Sequence, residues 1–150
     1  MKARLIALLQ RDEDAISDAW RLRLSETAYF AALKVVNPAS NPVRPLLRDL
    51  VHVLEGHLPA AQTLPGIKGA RRFEPLGLWR ISLAQCIEVF LTGEVVVRRW
   101  ARTHLDATDG EFLELFEALN RATHELLRFH ALHYCEDCRA APAAAEVSPS

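Results

Sequence analysis

The sequence predicts an all-α fold, and three features agree on it. Near the C-terminus, Phe112, Phe116, Leu119, Thr123, Leu126, His130 and His133 recur at alternating spacings of four and three, the mark of a helix with one buried seam about six turns long. Two capping boxes, Ser82 with Gln85 and Thr108 with Glu111, each stand at the head of a long apolar-periodic stretch. No run of β-branched residues shows the two-residue alternation of a strand.

Taken in order, Leu5, Leu8 and Leu9 share one side of a first helix, and Ile16, Ala19, Trp20 and Leu24 resume the spacing after the charged break from Arg11 to Asp14. This predicts two consecutive helices or one bent one. The chain leaves helix in Asn37-Pro38-Ala39-Ser40-Asn41-Pro42, because the residue before a proline is biased away from helical dihedrals. Asn41 is expected to cap the next helix with Pro42 at its first position; that helix carries Leu46, Leu47, Leu50, Val51 and Leu54 and fades near Gly56. Pro59 to Gly77, rich in proline and glycine, reads as one long loop.

The helix opened by Ser82 runs through Leu83, Ile87, Phe90, Leu91 and Val97 to about Trp100. Gly93 inside it costs about 1 kcal/mol relative to alanine, so another helix is expected to approach its backbone closely. The helix opened by Thr108 places Asp109 where the helix dipole favours negative charge. After Cys138 the chain is too poor in large apolar groups to offset the entropy of ordering it, so residues 139–150 read as a disordered tail behind one domain of residues 1–138. The two long helices, residues 82–101 and 109–135, should pack antiparallel with the earlier helices laid across them.

A chain of 150 residues buries enough surface to fold without a disulfide or metal. Its net charge of -1 argues against nucleic acid, which needs an excess of Lys and Arg on one face. The nearest approach to such a patch is Lys68, Arg71 and Arg72 in the loop, readable as a small anion site or as solvated charge. The N-terminal apolar stretch is too short for a secretory signal, and no stretch reaches the length of a membrane span, so a cytoplasmic protein without membrane insertion is expected. Three cysteines is an odd count, and Cys86 fits a small core residue better than half of a bridge.

Four potential zinc ligands, His130, His133, Cys135 and Cys138, fall within nine residues and include a Cys-x-x-Cys pair. On a continuous helix the histidines and cysteines point to different sides, so enclosing one ion requires the helix to end near Tyr134. The competing reading puts the histidines on the packed seam and the cysteines in the last turns. A redox role for the same pair is opposed by Glu136 and Asp137, which disfavour a thiolate between them. His124-Glu125-Leu126 has the form of a phosphoacceptor box on a polar helix face, though Phe129 stands where a proline usually follows. No Gly-x-Ser-x-Gly, Walker-type loop or His-Glu-x-x-His occurs, so no enzyme and no cofactor are expected. Trp20, Trp79 and Trp100 read as core or interface anchors, with an apolar cavity near Trp20 or Trp79 the place to look for a ligand.

Leu9, Ile16 and Trp20, then Leu46, Leu50 and Leu54, then Arg80-Ile81-Ser82-Leu83 leading to Ile87 and Phe90, then the long last helix, together make residues 1–138 resemble the N-terminal sensor domain of RsbR/RsbRD-type stressosome co-antagonists, the non-haem globin family. The resemblance implies a globin-like helical bundle without haem, dimerisation through terminal helices, and a signal passed to an output domain. Residues 58–77 contain no histidine, which agrees with the non-haem form, and the absence of an output domain before Ser150 points to a separate, unidentified signalling protein as partner. From the residues themselves, the breadth of apolar surface on the two long helices predicts a homodimer whose interface includes Phe112, Phe116, Leu119, Leu126, His130 and His133. Histidines there would make association sensitive to pH. The expected function is therefore a sensory or regulatory module acting through protein contacts, with a small metal or redox module, or a histidine phosphotransfer protein, as alternatives.

Overall fold

The computed structural model describes residues 1–35, 37, 40–58 and 82–147, with side chains as far as Leu132. The Pro59 to Gly77 loop, its basic cluster and Trp79 lie outside the described residues. Among the described residues the fold is helical throughout: α1 (Lys2–Arg11), α2 (Glu13–Ser25), a 3-10 segment (Ala28–Val35), α3 (Arg44–Leu54), α4 (Leu83–His104) and α5 (Asp109–Val147). No strand occurs among them.

The charged break predicted after Arg11 is a true interruption at Asp12. Its N–H still closes α1 on the Leu8 carbonyl (2.9 Å), while its own carbonyl accepts from Ile16 to open α2 (2.9 Å). One residue thus ends one helix and begins the next. Glu13 and Asp14 then occupy the first turn of α2, where the dipole favours them, and both reach α3: Arg48 holds Glu13 through two contacts (2.6 and 3.2 Å) and Arg44 holds Asp14 (2.9 Å).

Sequence periodicity misses the 3-10 segment. It bends at Phe30, where φ is -115° and ψ 17°, and that bend delivers Phe30 and Leu33 into the core. The buried guanidinium of Arg21 ties the segment to α2, donating to the Leu33 carbonyl (2.6 Å) and to Asp18 (2.5 and 3.0 Å). Helix α3 also starts later than expected. Asn41 accepts from the Val43 N–H (3.0 Å) and so closes a turn through Pro42; the helix begins at Arg44, with Pro45 in its first turn where a missing N–H costs nothing. It ends before Gly56, whose φ of +96° few other residues would adopt.

Both predicted capping boxes are present. The Ser82 hydroxyl accepts from the Gln85 N–H (3.1 Å) while Gln85 accepts from the Ser82 N–H (2.8 Å), and Thr108 and Glu111 repeat the exchange at 3.2 and 2.7 Å. Helix α4 continues to His104, past the expected end near Trp100. The backbone of α5 is helical to Val147, past Cys138, the last residue of the domain in the sequence reading.

The seam of α5 is where expectation and structure part most clearly. Leu119, Leu126 and His130 are buried and Phe112 nearly so, all by the same chain. Helices α3 and α4 cover the stripe: Arg102 of α4 lies over the rings of Phe112 (5.6 Å) and Phe116 (5.3 Å), Arg98 over Phe116 (5.4 Å), and Phe90 stacks on His130 (4.9 Å). Leu119 and Leu126 belong to the core of one chain, with Phe116 packed half-buried at its margin. Leu119, Leu126 and His130, which the sequence reading assigns to a dimer interface, are thus packed within one chain.

Candidate functional site

Helix α4 is apolar on nearly all sides, and its two faces have different fates. Cys86, Val89, Phe90, Gly93 and Val97 are buried against α2 and α5, whereas Leu83, Ile87, Leu91 and Val95 remain 37–46% exposed. The exposed four recur every fourth residue and so form one ridge along the outer side of the helix. Scattered exposed apolar residues are ordinary, but four aligned on one helix make a surface of the kind that meets a partner. Sequence reading placed Leu83, Ile87 and Leu91 with Phe90 and Val97, because a helix apolar all round offers no polar face to mark the solvent side.

At its C-terminal end the ridge runs beside a groove between α2 and α4. Ala19 and Arg23 line it from α2, and Val96, Arg99, Trp100, Thr103 and His104 from α4, around a volume of about 300 Å³. Trp100 is fixed from behind: its indole N–H donates to Asp12 (2.9 Å). The His104 ring stacks on it at 4.6 Å and 16°, with Nδ1 2.9 Å from the Trp100 carbonyl; a carbonyl only accepts, so Nδ1 carries the proton. Among the described residues, the guanidinium groups of Arg23 and Arg99 have no hydrogen-bond or ion-pair partner. Near Trp20, one of the two places anticipated for a ligand cavity, the indole itself fills the space over Gly93; Trp79, the other, lies outside the described residues.

Asp12, Glu13, Glu111 and Cys86 are perturbed, each by a structural cause. Arg11, then Trp100, hold the Asp12 carboxyl at about 2. Arg48 lowers Glu13, the Thr108 backbone N–H lowers Glu111, and burial lifts the Cys86 thiol to about 12. Each belongs to a helix junction, an ion pair, a cap or the core. Glu94, buried on α4, is held by Arg98 and by Asn120 of α5 (3.3 Å).

Of the four candidate metal ligands, His130 is a core residue, stacked on Phe90 and edge-on to Phe129 (5.4 Å). The side chains of His133, Cys135 and Cys138 lie outside the described residues, as does His133 in its role on the seam. Among the described residues no three His, Cys, Asp or Glu side chains cluster as a metal site. His124 is exposed on the polar face of α5, as its neighbours in sequence predict. No described helix is long and apolar enough to cross a membrane. Compared with known proteins, the chain matches no family profile, no curated protein and no solved structure.

Proposed function

We propose that this chain is a non-catalytic regulatory module that works through protein contacts, with the outer ridge of α4 as its docking surface. The observation that carries the reading is the uncovered line of Leu83, Ile87, Leu91 and Val95 on an otherwise well-buried helix. The ridge is regular about its midpoint, so an antiparallel second copy sets Leu83 against Val95 and Ile87 against Leu91, a self-complementary pairing of the kind a two-fold axis requires. The homodimer expected from the sequence is therefore assigned to α4 rather than to the α5 seam.

Within this reading the bundle is globin-like, with α4 and α5 as an antiparallel pair. The order of contacts supports the pairing: Arg102 with Phe112, Arg98 with Phe116, Glu94 with Asn120 and Phe90 with His130. The resemblance in helix order to the stressosome sensor domains supports a cytoplasmic sensory role with a separate signalling protein downstream. That Asp12, Glu13, Glu111 and Cys86 serve a helix junction, an ion pair, a cap and the core supports a role without catalysis, since catalytic groups are usually perturbed within a cleft.

Sedimentation equilibrium tests the assignment. The wild-type chain is expected to be a dimer, and Ile87→Glu with Leu91→Glu a helical monomer. A wild-type monomer, or a double variant still dimeric, would sink it.

A further inference from the structure

The groove beside Trp100 has the features of a binding site for a small organic anion, and they arise independently of what covers the α4 ridge. Its two arginines come from different helices, Arg23 in the last turn of α2 and Arg99 one turn beyond Val95 on α4, and among the described residues no carboxylate pairs with either. Asp12, which lies behind Trp100, is already engaged by Arg11 (2.9 and 3.1 Å) and by the Trp100 indole (2.9 Å). Two arginines lining one groove attract an anion, and the planar fork of arginine suits a carboxylate in particular.

The rest of the wall is apolar and stiff. Ala19, Val96 and the Trp100 ring form it, and Trp100 is held in place by the bond from its N–H on one side and the His104 ring stacked on it. With its only donor spent on Asp12, the indole offers ring surface and nothing polar, which favours a flat or short-chain apolar body. A volume of about 300 Å³ is at the lower end for small-molecule pockets and accommodates a metabolite rather than a nucleotide or a peptide.

We propose that this groove binds a small carboxylate with an aromatic or short acyl body, the carboxylate between Arg23 and Arg99 and the apolar body against Trp100. The test is calorimetric titration of the full chain with benzoate, with benzyl alcohol and inorganic phosphate in parallel. One benzoate should bind per chain, and each of Arg23→Gln and Arg99→Gln should weaken it about tenfold or more, the loss of one charge-assisted contact. Because neither arginine has a partner among the described residues, both variants should keep the wild-type melting temperature, which separates lost binding from lost folding. Trp100→Leu should weaken benzoate and leave any phosphate binding unchanged. No heat with benzoate, equal binding of benzyl alcohol, phosphate binding as tightly as benzoate, or arginine variants with undiminished affinity would each overturn the assignment.

Discussion

The indole of Trp20 lies so close to Gly93 that a Cβ at that position would stand 2.5 Å from Cε2 and 2.7 Å from Cη2 of the ring. The same indole donates its N–H to the Val89 carbonyl of α4 (2.9 Å). Trp20 is only 1% exposed and is walled in by α2 and α4, so the ring has nowhere to retreat. One glycine therefore sets the distance between two helices.

Gly93→Ala pits local propensity against packing. Alanine gains about 1 kcal/mol in an exposed helix, but overpacking a filled core costs about 1–3 kcal/mol. With a rigid buried ring as the obstacle, packing wins, and a net loss of about 1–2 kcal/mol is expected, a fall of several degrees in Tm. Thermal unfolding followed by circular dichroism decides it; a stabilised variant would show that Trp20 yields.

Arg21 should prove important to the 3-10 segment rather than to the whole domain. Arg21→Ala leaves the Leu33 carbonyl without its donor and Asp18 without its partner, at a cost of about 2–3 kcal/mol. Amide exchange is expected to accelerate most over residues 28–35 and least in α4. Uniform acceleration along the chain would contradict that localisation.

Acid should loosen the helix junctions. Asp12 has its folded pKa depressed to about 2, chiefly by Arg11, and Glu13 and Glu111 are lowered as well. Groups depressed on folding contribute stability that is fully present above their unfolded values near 4 and is lost as pH falls toward 2. Melting temperature should accordingly be flat above about pH 5 and decline below about pH 4. Asp12→Asn is expected to flatten part of that decline; a variant with an unchanged profile would remove Asp12 from the account.

The Cys86 thiol should be inert in the folded protein. Burial pushes it up to about 12, so hardly any thiolate forms at neutral pH. Peptide mapping after brief iodoacetamide treatment should find Cys86 unmodified in native protein and alkylated in denaturant. Because the unfolded thiol ionises near 9 and the folded one near 12, the same group makes the fold less stable as pH rises above 9.

The sequence by itself determined the local events. Helix starts at Ser82 and Thr108, the interruption near Asp12 and the demand for a close neighbour at Gly93 all follow from hydrogen bonding and sterics within a few residues, so they are visible without a fold. Where side chains end up was decided by tertiary structure. The α5 seam has the same spacing whether it meets its own α3 and α4 or another chain, and α4 is apolar on too many sides to declare which one faces water. The meeting of Arg23 with Arg99, Trp100 and His104 joins residues from helices far apart in the chain, and no local pattern records it. Periodicity measures how a helix is divided; the partners that cover each part are fixed only when all the helices pack at once.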